Sequence, residues 1–322
     1  MFTLDELAAA TAVVRSIVAP TPAYAWPLLA KRLGVDVLVK HENHSPIGAF
    51  KIRGGLVYVD ALVRAGPRPK GVVTATRGNH GQSIALAAAR HGIAAVIVVP
   101  RGNSPEKNAA MAAFGAEIVT GGKDFDESRP IAAQITLERG YHFVPSFHRD
   151  LVMGVATYAQ ELFASCAELD AVYVPIGMGS GICGLITVRD LLGLKTEIVG
   201  VVAANAPAYA LSFAAKRVVR TDSARTFADG VACRDPAQEA LAVIGCGAAR
   251  IVSVSEDEIA DAIRLYYTAT HNVAEGAGAA ALAALMREKA RYAGRRVGLI
   301  LTGGNIDMSV LTEVLAGGTP AA

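Results

Sequence analysis

Cysteine is sparse in this chain. Four occur in 322 residues, Cys166, Cys183, Cys233 and Cys246, and no two form a Cys-x-x-Cys pair or join a histidine at zinc spacing. A structural zinc module is thereby excluded, and a disulfide framework is not expected in a chain this long, so the thiols read as free groups of a reducing compartment. Charge is also low, at 19% Asp, Glu, Lys and Arg with a formal net of +2, and no block of lysine or arginine stands out. The basic footprint of a nucleic-acid-binding protein is missing. Hydrophobic residues reach 52%, yet no uninterrupted apolar run approaches the ~20 residues of a membrane helix. Asp5 and Glu6 stand where a signal peptide carries positive charge, and no cleavable apolar stretch follows. The expectation is a cytoplasmic protein with no nucleic-acid or membrane partner, acting on a small molecule.

Much of the hydrophobicity is alanine, and the Ala-rich stretches alternate with short β-branched runs. The sequence predicts strands at 71–76, 94–100, 116–120, 142–145, 171–176, 197–203, 250–254 and 297–301. Helices are predicted over 81–91, 124–138, 151–166 and 275–289, with a further one opened by Ser104 and Pro105 and another by the capping box Ser255-Glu256-Asp257-Glu258. Such alternation indicates α/β units with mainly parallel sheets. Gly66–Lys70 and Ser146–Asp150 read as linkers, which suggests a small domain inserted in a larger one.

Three predicted strands end in polar, glycine-rich loops: Thr76-Arg77-Gly78-Asn79-His80-Gly81, Gly177-Met178-Gly179-Ser180-Gly181 and Thr302-Gly303-Gly304-Asn305. In open α/β sheets ligands bind beyond the carboxyl ends of strands, and glycines let backbone N–H groups approach an anion at a helix N-terminus. The second loop is not a dinucleotide fingerprint, because Ile182 stands where GxGxxG needs glycine and the next strand ends at Ala203 rather than at an acid. Nor does a Lys-Ser or Lys-Thr pair follow it as in a nucleotide P-loop. A phosphate cup without nucleotide features points to a small phosphorylated ligand. Upstream lies Ala49-Phe50-Lys51-Ile52-Arg53-Gly54. An apolar setting disfavours the ammonium of a lysine, and the neutral amine attacks carbonyls.

Taken in order, AFKIRG resembles an SFKxRG lysine motif, RGNHGQ an SGNHGQ loop, GMGSG a tetraglycine phosphate loop, and TGGN a terminal SGGN. From Pro22 to Asn305 the chain resembles the β-family, or fold type II, of pyridoxal-phosphate enzymes, within the group of serine/threonine dehydratases and serine racemase. That resemblance implies two open, mainly parallel, three-layer α/β domains like those of the tryptophan synthase β chain. The large cofactor-binding domain would comprise residues 1–70 and 149–322, and a small mobile domain residues 71–148. It implies pyridoxal 5′-phosphate held as a Schiff base on Lys51, which is also the catalytic base. Phe50 would pack on the pyridine ring and Asn79 bond its 3′-oxygen. Gly177, Met178, Gly179, Ser180 and Gly181 would hold the phosphate, Glu275 would lie near the ring, and Thr302 at its nitrogen. A hydroxyl at that nitrogen suits β-elimination. Thr76, Arg77, Gly78, Asn79 and His80 would bind the amino-acid substrate. A homodimer is implied.

The implied reaction is dehydration of a 3-hydroxy amino acid, threonine or serine by default, to a 2-oxo acid and ammonia. A substrate such as 3-hydroxyaspartate or phenylserine is the alternative, as is racemisation. Arg77 replaces the serine expected of a racemase, and a guanidinium is a poor base, although its fork of donors suits a carboxylate. Arg77 is therefore expected either to meet a substrate carboxylate, including a second acidic group, or to point outward to a surface acid. No acid occurs between Val202 and Tyr209, where relatives carry a cation site, so no metal is expected. The chain stops soon after the last strand, so a C-terminal regulatory domain is not expected. A β-replacement synthase and a non-catalytic ligand-binding relative are weaker readings, the second because Lys51, Asn79, the phosphate loop and Thr302 occur together.

Overall fold

The computed structural model describes residues 1–166 and 168–321. Its strands are β1 (Ala23–Ala25), β2 (Asp36–His41), β3 (Gly71–Ala75), β4 (Ala94–Val99), β5 (Glu117–Thr120), β6 (His142–Phe143), β7 (Ala171–Pro175), β8 (Glu197–Ala203), β9 (Arg250–Val254) and β10 (Arg296–Leu301). The helices are α1 (Leu4–Arg15), α2 (Pro27–Leu33), α3 (Lys51–Arg64), α4 (Asn79–Arg90), α5 (Pro105–Ala113), α6 (Phe125–Arg139), α7 (Arg149–Ser165), α8 (Ser180–Leu191), α9 (Ala208–Ala215), α10 (Gln238–Gly247), α11 (Glu256–Thr270), α12 (Gly276–Glu288) and α13 (Met308–Leu315). The predicted capping chemistry is present. Ser104 Oγ accepts from Lys107 N at 3.0 Å, and both arms of the box between Ser255 and Glu258 form.

Two sheets result. One is six-stranded in the order β1-β2-β10-β7-β8-β9, and the other four-stranded in the order β5-β4-β3-β6. All pairings are parallel except that of the short edge strand β1 with β2. Alternation along each strand feeds two cores, as a period of two requires. In β7, Ala171 and Tyr173 join the layer with α2, α11 and α12, whereas Val172 and Val174 face α7, α8 and α10. In β4, Ala95, Ile97 and Val99 face α3, α4 and α5, whereas Val96 and Val98 face α6. Each sheet is thus the middle layer of a three-layer α/β stack. Among the described residues no helix is long and apolar enough to cross a membrane.

The first fifty residues hold elements that the sequence pattern does not announce. Strand β2 ends in Lys40 and His41, polar residues that are nevertheless fully buried. The His41 ring is satisfied by Trp26 Nε1 and Asn43 Oδ1, and Lys40 is tolerated because charges close around it. Arg53, buried in the first turn of α3, donates from Nε to Glu42 at 2.7 Å and from Nη1 to Glu161 of α7 at 2.9 Å, while Lys40 Nζ donates to Glu161 at 2.6 Å. Helix α3 also approaches its neighbours at backbone distance. A Cβ on Gly154 would collide with the Arg53 carbonyl, and one on Gly55 with Ser83.

Removing Arg53 would leave Glu42 and Glu161 buried and undercompensated. Arg53→Met is expected to cost about 3–5 kcal/mol of unfolding free energy, read by urea denaturation, and Arg53→Lys to recover only part of it. A midpoint within error of the unsubstituted chain would show that the network contributes nothing net.

Candidate active site

One cleft gathers the carboxyl ends of β3, β7 and β10 with the start of α3. Its lining includes Phe50, Lys51, Thr76, Arg77, Gly78, Asn79, His80, Gly177, Met178, Gly179, Ser180, Gly181, Glu275 and Thr302. Every site residue read from the sequence therefore lies on a single surface.

Lys51 is the first residue of α3 and is held from both sides. Its carbonyl accepts from Ser83 Oγ at 2.6 Å, and the Phe50 N–H donates to the Thr302 carbonyl at 3.0 Å. Its ammonium donates to Ser180 Oγ at 3.1 Å and stands 4.9 Å from the centre of the Phe50 ring. Burial lowers Lys51 from the ordinary 10.5 to about 8.

The loop between β7 and α8 is a cup. Gly179 adopts φ +98°, which favours glycine, and provides no side-chain cap to α8. A Cβ on Gly177 would strike the Gly230 carbonyl. The loop is pinned from behind, Tyr209 Oη donating to the Met178 carbonyl and Tyr158 Oη to the Gly181 carbonyl, each at 3.0 Å. Uncapped N–H groups at the start of a helix, facing a cleft beside a lysine, suit a phosphate dianion.

Asn79 opens α4 and bridges the two sheets. Its Nδ2 donates to Glu275 Oε1 at 2.6 Å, and its Oδ1 accepts from Asn305 Nδ2 at 2.8 Å. Glu275 stands at the N-cap of α12 but does not cap its own helix. Burial pushes its carboxyl up, against the pull of Lys107 and Asn79. His80 is also buried, and burial together with the Lys51 charge holds it down to about 3, so its ring is neutral at working pH. Its Nε2 has no hydrogen-bond partner among the described residues, and the same is true of Arg77 Nε.

Of the two expectations for Arg77, the structure overturns the outward-pointing one. Arg77 does not point outward to a surface acid. Its Nη2 pairs at 2.8 Å with Asp229 Oδ1, within the cleft lining. Lys107 joins them, 3.2 Å from Asp229 and 3.4 Å from Glu275. Ala49 does not line the cleft. It is fully buried, bridges to Gly303, and has its N–H and carbonyl bonded by Ser45 Oγ.

Sequence reading missed Lys107, Phe125, Ser146, Ala232 and Cys233 in the lining, and gave Asp229 no role. A signal existed for Lys107. It lies in the first turn of α5, where the helix dipole modestly disfavours a cation, a cost that an acidic neighbour outside the helix would offset without the sequence saying which.

Comparison with known proteins adds independent weight. The family described as pyridoxal-phosphate dependent enzyme matches residues 14–303. An L-threonine ammonia-lyase of Geobacter sulfurreducens is 35% identical over 91% of this chain and 73% of its own length. An L-threo-3-hydroxyaspartate ammonia-lyase of Saccharomyces cerevisiae is 30% identical over 94% of this chain and 93% of its own. The processed form of threonine deaminase isoform 2 from Solanum lycopersicum superposes with a TM-score of 0.87 and 30% identity, covering 98% of this chain and 95% of that one.

With Lys51 near 8, its neutral fraction rises about tenfold per pH unit below that value and then saturates. Marking of Lys51 by an aldehyde followed by borohydride, read by peptide mass spectrometry, is expected to follow that curve. A rate still climbing steeply at about pH 9.5 would give Lys51 ordinary lysine basicity.

Proposed function

This chain belongs to the pyridoxal-phosphate dependent enzymes, and from that membership we propose that it is an ammonia-lyase, converting a 3-hydroxy amino acid to a 2-oxo acid and ammonia. Threonine and serine are the first substrates to consider, in keeping with relatives named L-threonine ammonia-lyase at 35% and 32% identity. The observation that carries the reading is Lys51, an amine of lowered basicity beside a glycine-lined cup.

The residues fit the cofactor of the family. The cup with Gly177, Met178, Gly179, Ser180 and Gly181 would hold its phosphate, Lys51 its aldehyde carbon, Phe50 one face of its ring, Asn79 its ring oxygen and Thr302 its ring nitrogen. Pyridoxal phosphate supplies, when bound, an electron sink for the α-carbon. The chain supplies the rest. The Lys51 amine removes the α-proton, and the lowered basicity keeps a neutral fraction available near neutral pH. Ser180 Oγ, accepting from the amine at 3.1 Å, aims it. Asn79 is held against rotation because both ends of its amide are bonded, to Glu275 and Asn305. Arg77, whose Nη2 is committed to Asp229, has a buried Nε–H with no partner among the described residues, and a small turn of its side chain would offer that donor to the carboxylate that every amino acid carries. Movement of the unit over 71–148 against the rest, a homodimer and a cytoplasmic location belong to the same reading.

Oxo acid should form from threonine or serine without an added nucleophile, which a β-replacement synthase would require. Chiral analysis of recovered substrate should show no enantiomer formed, as a racemase would produce. Lys51→Ala should lower kcat by about 10²–10⁴, and borohydride should trap the pyridoxyl group on the peptide carrying Lys51. Trapping elsewhere removes the basis of the reading. Arg77→Ala should raise KM more than it lowers kcat, and an unchanged kcat/KM for every hydroxy amino acid would remove Arg77 from substrate binding.

A further inference from the structure

Asp229 is the one acid of the cleft with both oxygens turned to cations of the substrate-facing loop and its neighbour. Oδ1 meets Arg77 at 2.8 Å and Oδ2 meets Lys107 at 3.2 Å. It begins the short turn Asp229–Val231, whose Gly230 carbonyl abuts Gly177 of the cup, so its backbone is fixed by close packing. Its side chain is 20% exposed, and that of Arg77 32%.

The charged residues that line the cleft are Lys51, Arg77, Lys107, Asp229 and Glu275. Lys51 faces Ser180 and, on the proposed function, is taken by the cofactor. Lys107 lies between Asp229 and Glu275. Arg77 has Asp229. No cation of the lining is left unmatched, while Asp229 itself stays in partial view of the cleft. A substrate with one carboxylate can use the free Nε–H of Arg77. A second carboxylate on the β-carbon would have to displace Asp229 from its partners or lie against it, and either arrangement puts like charges together at low solvation.

We infer that Asp229 acts as a charge filter: by neutralising Arg77 and Lys107 in advance, it excludes 3-hydroxy amino acids with an acidic side chain and selects neutral ones. The inference rests on the lyase reading of this same site. It treats Asp229 as a specificity-determining residue that works through Arg77 and Lys107, and it differs from a purely structural role in one respect. A clasp between the two sheets, once weakened, would impair all substrates alike. A filter, once removed, changes their ratio.

The test compares the holoenzyme with Asp229→Asn, measuring kcat/KM for threonine and for 3-hydroxyaspartate. Wild type should favour threonine, and the ratio should fall by about tenfold or more in the variant, the equivalent of 1.4 kcal/mol, mainly through the KM of the acidic substrate. A parallel arm needs no turnover: binding of succinate and of butyrate, followed by the absorbance of the bound cofactor. Wild type should hold succinate no more tightly than butyrate, and Asp229→Asn should shift that preference toward succinate by a similar factor. An unchanged ratio in the variant, or a wild-type preference for 3-hydroxyaspartate or succinate, overturns the filter. The wild-type arms can overturn the filter even where Asp229→Asn fails to fold, and Asp229→Ser then supplies the second variant for the ratio. Absence of oxo acid from any 3-hydroxy amino acid overturns the lyase reading instead, and the succinate and butyrate arm still judges Asp229.

Discussion

The guanidinium of Arg53, closed between Glu42 and Glu161, is the constraint on which the site depends. Three segments meet there: the residue that follows β2, the first turn of α3 and the C-terminal part of α7. A fully buried arginine is costly unless its donors are all directed, and here Nε, Nη1 and Nη2 each reach a carboxylate oxygen. Such a network adds little net stability over an apolar core, but it permits one arrangement only. Lys51 lies two residues before Arg53 on the same turn. The position of its backbone follows from the ion network on one side, Ser83 and the close glycine contacts with α4 on another, and the Phe50 bond to the end of β10 on a third.

A second chain of charges crosses the cleft. Arg77, Asn79 and Lys107 come from the four-stranded sheet and its helices, whereas Asp229, Glu275 and Asn305 come from the six-stranded side. Arg234 extends it at the rim, pairing with Asp124 and Asp126 beside Phe125. The pairs of Arg77 and Lys107 with Asp229, and of Lys107 and Asn79 with Glu275, join residues that line the cleft, while the Arg234, Ser104–Asp307 and Glu106–Met308 contacts stand outside it. Any separation of the sheets would therefore undo the site electrostatically before it exposed much apolar surface.

Much of this was legible in the sequence, for identifiable reasons. Parallel strands buried on both faces read as β-branched runs, and glycine loops announce themselves wherever backbone must approach backbone, as Gly177 does toward Gly230. The loops, the lysine and the four strands of the smaller sheet were accessible by that route, although the order of those strands was not. The segment before Lys51 was not, because β2 buries Lys40 and His41, and periodicity treats such residues as surface. Asp229 and Lys107 were invisible as partners because they meet only in three dimensions, from different sheets. Ala49, where the resembled lysine motif has serine, is buried in a bridge with Gly303 and does not line the cleft.

Two lysines line this cleft, Lys107 buried and Lys51 partly so, and the difference between them explains the chemistry. Burial acts on both in the same direction, against the ammonium. Around Lys107 it is outweighed by the carboxylates of Glu275 and Asp229, and the group is held above the ordinary lysine range. Around Lys51, among the described residues, only a hydroxyl, Ser180 Oγ, accepts a hydrogen bond from the ammonium, and burial prevails. A carboxylate beside Lys51 would have fixed it as a cation and removed both its nucleophilicity and its capacity to take a proton. The acids of the cleft stand instead with Arg77, Asn79 and Lys107. The reactivity of Lys51 thus depends as much on what Asp229 and Glu275 are bound to as on anything Lys51 touches.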